Sequence, residues 1–193
     1  MGVYETILKR RTIRRFSEKP VPFSLLKKCV NAARLSPTGR NAQPFEFIAV
    51  NDAGQVAMLN EAVHFGGVVR EKGRVEGEEP KAFVVIIADK EKKNDYTATD
   101  AGIAAEAIVL TALEAGIASC MMGLIERERI KGVLGIPNSF EVPLAIALGY
   151  PKEKAVADDE TKGIPYGADG KGVMHVPKRP LEKVLHRNRF GAK

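Results

Sequence analysis

The sequence predicts an α+β fold, on two observations. Short apolar runs with strand character, FEFIAV at residues 45–50 and AFVVIIAD at 82–89, alternate with segments whose apolar residues recur at helical spacing. The longest helical pattern, residues 100–116, is so rich in alanine and isoleucine that it should be buried on most sides. With 193 residues, 45% of them hydrophobic, and no break in composition, residues 1–193 are expected to form a single domain with a sizeable core.

The elements follow in order. Leu25, Leu26, Cys29, Val30 and Ala33 have helical spacing, which predicts a helix over residues 23–35 capped by Ser24 and stopped by Ser36-Pro37-Thr38-Gly39. The strand at 45–50 follows. Residues 51–80 begin as a short helix and then run through Gly66, Gly67, Gly73 and Gly77 among alternating charges, which suggests a mobile excursion over a binding site. The buried strand at 82–89 leads to the helix at 100–116, with Gly116 in the helix-ending position. Further strands are expected at 117–122 and 142–150, with a short helix at 126–134 between them. From 152 to 178 the pattern dissolves into Gly, Pro, Asp and Lys, an irregular arm; a last short helix at 181–186 follows Pro180.

Charge is distributed unevenly. Residues 1–50 hold ten Lys/Arg against three Asp/Glu and residues 171–193 hold seven against one, whereas the middle holds thirteen against twenty, an asymmetry hidden by the net charge of +6. Four of the basic residues, Arg10, Arg11, Arg14 and Arg15, fall within six positions and surround Thr12. Guanidinium forks that stay charged, with a rotatable hydroxyl among them, suit a phosphate, and so does a solvated basic face. If the two basic ends meet, they form one concentrated anion site. Cys29 and Cys120 have neither disulfide nor metal-ligand spacing, which fits a reducing cytoplasm, and no apolar run reaches the length of a membrane span. Asn41 and Gln43, in a loop stiffened by Pro37 and Pro44, offer amides that suit the edge of a heteroaromatic ring or structural bonds to the backbone. His64 lies in the excursion, where it could reach substrate, though a lone histidine there is more often a surface residue; His175 and His186 are expected at the surface, and Cys120 as a packed thiol.

In combination these segments resemble the nitroreductase family of flavin mononucleotide (FMN) enzymes. The family's R-R-S-x-R-x-F run is matched from Arg10 to Phe16 with Thr12 in place of serine. Its P-S-x-x-N-x-Q-P-W-x-F segment is matched from Pro37 to Phe47, with Thr38 for serine and Phe45 for tryptophan. The helix pattern at Asp100, Gly102, Ala104 and Leu110-Thr111-Ala112, the glycine-ended strand Cys120-Met121-Met122-Gly123, the L-G-Y-P element at Leu148 to Pro151, and the basic ending Lys178-Arg179-Pro180-Leu181 follow in the family's order.

The resemblance implies a nitroreductase-like fold, a central, mostly antiparallel sheet flanked by helices with an extended C-terminal arm, and a homodimer with FMN at its interface. Position by position, it implies that Arg10, Arg11 and Thr12 hold the phosphate and ribityl end, and that Arg14 contacts the phosphate or the isoalloxazine edge. Arg179, with Lys178, would complete the clamp. Asn41 would meet the polar edge of the ring. Pro37, Thr38 and Gly39 would come from the second subunit. The main chain of Cys120, Met121, Met122 and Gly123 would face the ring, with the amide of Met122 or Gly123 near N5. The implied chemistry passes hydride from NAD(P)H through N5 to a small electron-poor acceptor, a nitro-aromatic, quinone or similar molecule, by a ping-pong mechanism. Because the cofactor carries that chemistry, no catalytic acid or base is assigned to the protein. The chain departs from the pattern in having no tryptophan and in lacking any matching motif over residues 156–176. Two other readings are a flavin-binding protein of this fold without nicotinamide-linked turnover, and a basic nucleic-acid-binding protein. The second is disfavoured by 6% aromatic content and the acidic middle, so neither nucleic acid nor membrane is expected as a partner.

Overall fold

In the computed structural model, which describes residues 2–66, 75–159, 163 and 165–192, β-strand β2 (Ala82–Asp89) is the axis of the molecule. It pairs antiparallel with β1 (Phe45–Val50) on one side and with β4 (Phe140–Gly149) on the other. Strand β3 (Ala118–Met122) pairs antiparallel with β4, giving the order β1-β2-β4-β3. The unbroken apolar sequence of β2 is explained by burial on both faces, since successive side chains point to opposite sides of a strand. Phe83, Val85 and Ile87 enter one core with Val56 and Leu59 of α3 (Ala53–Ala62) and Ile130 of α5 (Arg127–Leu134). Ala82, Val84 and Ile86 enter a second core with Leu26 and Cys29 of α2 (Phe23–Ala33) and Ala105, Ile108 and Val109 of α4 (Thr97–Glu114). The predicted α+β class, with a central antiparallel sheet between helices, is the architecture found.

Element boundaries differ from the sequence expectations in ways that have local causes. Helix α2 is entered from Pro22 and carries no side-chain cap, so Ser24 lies inside its first turn and does not cap it. Helix α3 is capped by Asp52, whose carboxylate accepts from the Gln55 amide at 2.9 Å. Helix α4 starts three residues early, at Thr97, and α5 ends at Gly135, whose φ of 64° is the left-handed conformation that stops a helix. The 152–178 arm is not irregular. It holds β5 (Ala155–Asp159), β6 (Gly167–Ala168) and β7 (Met174–Lys178) in a second sheet of order β5-β7-β6, with β5 and β7 parallel. His175 ties this sheet together, its Nδ1 2.7 Å from Asp158 Oδ2 and its Nε2 3.3 Å from Asp169 Oδ2. Two short helices complete the chain, α1 (Val3–Lys9) against α4 and α6 (Leu181–Val184) near the C-terminus. Gly67 and Gly73 of the expected excursion lie outside the described residues.

The segment from Arg11 to Ser17 is laid along the sheet edge. Ile13 N donates to Ser119 O at 3.0 Å, Phe16 N to Glu78 O at 2.9 Å, and Ser17 N to Tyr150 O at 2.8 Å. Phe16 is fully buried over Gly149, where an added Cβ would stand 2.7 Å from the ring, so glycine is required by the close approach. Glu78 is also buried. Its carboxylate is bonded by Arg15 and lies 3.1 Å from Lys152 Nζ, and the Arg15 bond chiefly holds its pKa down at about 2. A carboxylate depressed in the folded state stabilises it above the ordinary pKa and ceases to do so as pH falls through the depressed one. Glu78→Gln is therefore expected to lower Tm at pH 7, with its difference from the unaltered protein shrinking between pH 4.5 and about 2, as read by thermal melts across that window.

Candidate functional site

The docked segment and strand β3 together form the site. Thr12 and Ser119 make a parallel bridge, which fixes Arg11, Thr12 and Arg14 beside the strand that runs on through Cys120 to Gly123. A cleft of about 250 Å³ opens at the end of that strand, lined by Arg14, His64, Phe65, Gly66, residues 120–124 and Tyr166. Arg14 and residues 120–123, far apart in sequence, thus line one cleft. Cys120 packs into the core beneath, and burial pushes its thiol up to about 11, so it stays protonated at neutral pH and acts as packing.

The four arginines divide into two kinds. Arg15 is engaged by Glu78, and Arg10 Nε lies 3.4 Å from Glu106 Oε1 on α4. Arg15 and Arg10 are thus each paired with a carboxylate of another element. Arg11 is different. One of its terminal nitrogens donates to the carbonyl of Arg10, but its Nε is buried without a hydrogen-bond partner. Its pKa is lowered, first by burial and then by the neighbouring charge of Arg10. A desolvated guanidinium with an unmet donor and a like charge beside it is a site short of an anion. Arg14 presents its guanidinium 5.4 Å from the centre of the Tyr166 ring, at the cleft.

The loop from Pro37 to Asn41 lies elsewhere in the same chain. Gly39 N donates to the buried carboxylate of Asp100 at 2.8 Å, Gly39 O accepts from Asn94 Nδ2 at 3.3 Å, and Thr38 Oγ1 accepts from Gln43 N at 3.1 Å. Arg40, Asn41 and Gln43 have φ of 58°, 53° and 44°, left-handed values uncommon outside glycine. Arg40 and Asn41 are exposed. The basic end of the chain is likewise apart. Lys178 pairs with Asp159 at the end of β7, four residues beyond Met174, or roughly 13 Å along the strand. Arg179 Nη2 donates to Lys183 O at 3.1 Å, and among the described residues neither it nor Lys178 is joined to the arginine run. The C-terminal sheet does approach that run through Ala155, which packs on Ile13, Phe16 and Ala118, and through Glu153, whose carboxylate accepts from the amides of Arg14 and Arg15.

Sequence reasoning missed Tyr166, although it is the one Phe, Trp or Tyr between residues 151 and 189. For His64 it weighed a reach to substrate against a surface position. The residue is half exposed, yet it stands at the cleft with Nε2 2.7 Å from Glu126 Oε1. Asp100 was legible only as part of a helix pattern, and its role as the anchor of Gly39 depends on a contact across 61 residues. Among the described residues no cluster of His, Cys, Asp and Glu is arranged to hold a metal, and no helix is long and apolar enough to cross a membrane.

Comparison with known proteins agrees with this geometry. The nitroreductase family model matches residues 7–150. A protein of Archaeoglobus fulgidus, provisionally named NADH dehydrogenase/NAD(P)H nitroreductase, is 32% identical over 155 residues, which are 77% of this chain and 84% of that one. The solved FMN-dependent nitroreductase of Clostridium difficile R20291 superposes with a TM-score of 0.68 at 30% identity, covering 96% of this chain and 98% of its own. A Desulfovibrio desulfuricans protein solved in complex with FMN has a TM-score of 0.70 over 98% of both chains, and at 21% identity it speaks for the fold.

The loop generates one prediction. A Cβ on Gly39 would lie 2.6 Å from the Tyr96 ring and 2.7 Å from its Cβ, so the backbone must yield. Gly39→Ala is expected to cost about 1–3 kcal/mol of stability, read by denaturant unfolding, and to weaken the Asp100 contact. The docked arginine segment, the strand-end cleft beside it, the α+β sheet that carries both, and the match over residues 7–150 have one meaning: this chain belongs to the nitroreductase family.

Proposed function

We propose that the protein is an FMN-dependent oxidoreductase, a single domain that takes reducing equivalents from NAD(P)H and delivers them to a small electron-poor organic acceptor in the cytoplasm. The observation that carries this reading is the buried, unpartnered Nε of Arg11 on the strand edge that leads into the cleft. That donor set fits the cofactor's phosphate: Arg11 offers an unmet charge-assisted bond, Thr12 a hydroxyl, and Arg14 a second guanidinium nearer the cleft. Bound FMN would supply hydride transfer, with reductant and acceptor using one exposed face in turn. The chain's own residues bind and orient. Main-chain groups from Cys120 to Gly123 floor the cleft, and Tyr166 and Phe65 give it apolar walls that exclude water.

The reading includes a homodimer with the cofactor at its interface. Val3, Tyr4, Ile7 and Leu8 of α1 are exposed beside α4, as are Leu181, Leu185 and Phe190 near the C-terminus, an apolar surface that suits a second copy. Pro37, Thr38, Gly39 and Asn41, with Lys178 and Arg179, make no hydrogen bond or ion pair with the arginine run among the described residues, and they form the set that would reach the site of the other subunit. Arg10, though paired with Glu106, stays close enough to Arg11 to add to the field on the phosphate.

The test is a visible spectrum of the purified protein, then anaerobic bleaching by NADH or NADPH and recovery on adding a quinone or nitro-aromatic. A flavin spectrum that bleaches and recovers supports the reading; a protein that takes up no FMN overturns it, and one that binds FMN but is not bleached by either nucleotide leaves a flavin carrier. Arg11→Ala is expected to weaken FMN binding by roughly 10- to 100-fold, the loss of one charge-assisted bond. It should bind riboflavin, which lacks the phosphate, as well as the unaltered protein does, as read by equilibrium dialysis with both flavins.

A further inference from the structure

His64 and Glu126 stand outside every role assigned above. Their placement is not that of a casual surface pair. Val63 and Ile125 form an antiparallel bridge, and on either side of it His64 N donates to Leu124 O at 2.9 Å and Glu126 N to Ala62 O at 2.8 Å. The backbone therefore sets His64 opposite Leu124 and Glu126 opposite Ala62, which leaves the two side chains as diagonal neighbours on one face at the point where the chain leaves the cleft floor. His64 lines the cleft in company with residues 120–124, and its Nε2 lies 2.7 Å from Glu126 Oε1, which leaves Nδ1 as the ring nitrogen not engaged by that carboxylate.

The bond from His64 holds the Glu126 carboxyl below its usual range, with the charge of Arg129 adding to the effect. Glu126 is thus an acceptor, which makes Nε2 the donor of the 2.7 Å bond and fixes the ring by that nitrogen. The charged groups around the pair are Glu126 itself, Arg129, whose Nη1 is 3.7 Å from Glu126 Oε2 and which also pairs with Glu61, and Arg14 across the cleft, where Tyr166 is the other titratable neighbour. The arrangement is a tautomer-fixed imidazole facing a reaction cleft.

We propose that His64 is the proton donor to the acceptor, and that Glu126 is its positioning residue; this rests on the oxidoreductase reading above. Conversion of a quinone to its hydroquinone takes two electrons and two protons. The nicotinamide reductant supplies both electrons and one proton as a hydride equivalent. The second proton passes from His64 Nδ1 to the quinone oxygen that is left negative: the N–H bond breaks, an O–H bond forms, and the imidazolium becomes neutral imidazole with Nε2–H still on Glu126. The exposed rim of the ring then recovers a proton from water. The acceptor class this selects carries an oxygen that becomes basic on reduction, as quinones and nitro compounds do.

The experiment compares the unaltered protein with His64→Gln and Glu126→Gln. Both side chains are about half exposed, so the fold should survive either change. With the FMN-loaded, pre-reduced protein, His64→Gln is expected to slow reoxidation by a quinone roughly 100-fold and to remove both its pH dependence and its solvent isotope effect. Reoxidation by ferricyanide, which takes electrons without protons, should match that of the unaltered protein. Glu126→Gln should fall between. A second readout needs no turnover: calorimetric binding of 4-cyanophenol, whose phenolate cannot be reduced, should weaken roughly tenfold in His64→Gln and lose its pH dependence. Quinone reoxidation at the unaltered rate in His64→Gln, in a protein that binds FMN and is bleached by reduced nicotinamide, overturns the His64 role and leaves the function standing. A protein that binds no FMN overturns both.

Discussion

The docking of residues 11–17 along the open edge of the sheet is the interaction on which the site depends. An edge strand carries unpaired amides and carbonyls, and here Ile13 takes up the carbonyl of Ser119 on β3, while Phe16 and Ser17 bond the carbonyls of Glu78, before β2, and Tyr150, just past β4. Those bonds alone would fix the backbone weakly. Phe16 supplies the grip, because its ring is wholly buried over Gly149 and cannot slide without opening a cavity. With Phe16 seated, the register of the preceding residues follows, and Arg11, Thr12 and Arg14 arrive at the start of the strand that ends in the cleft.

This docking also explains how one basic run serves two purposes. Arg15 and Arg10 meet carboxylates from other elements, Glu78 and Glu106, and so neutralise part of the charge that the segment brings. Arg11 meets none that its Nε can reach, and it remains desolvated beside a like charge. A protein gains nothing in stability from such an arrangement on its own. The Arg11 Nε is desolvated without a partner among the described residues, an unmet donor already held in place by the docked backbone.

Much of the fold was legible because apolar runs mark its strands, β2 being buried on both faces and β1 pairing along its edge: both have the predicted limits to the residue, and α2, α4 and α5 differ only at their ends, where capping decides. The second sheet was not legible. Its strands β5 and β7 are polar and pair in parallel across intervening chain, β6 is two residues long, and His175 joins its layers through two aspartates that local patterning does not connect. The same limit applies to the site. Arg11 and the Cys120-to-Gly123 strand were recognisable as motifs, but which arginine is paired, that Tyr166 reaches the cleft, and that His64 faces Glu126 are facts of tertiary contact. None leaves a trace in spacing along the chain.

The strained loop at 39–43 fits the same economy. Three residues held in left-handed conformations cost on the order of 1 kcal/mol or more each, and a free loop would relax. It cannot, because Asp100, buried in the first turn of α4, holds the Gly39 amide, while the ring of Tyr96 fills the space where a Cβ would be. Asp100 is itself stabilised there by the positive end of the helix. The longest helix of the fold therefore acts as the brace for the loop, within which Asn41 N also donates to Thr38 O at 2.8 Å, while Arg40 and Asn41 stay exposed. A polar loop held in this way is ordered in advance, so any group that met its exposed residues would lose little entropy to ordering them.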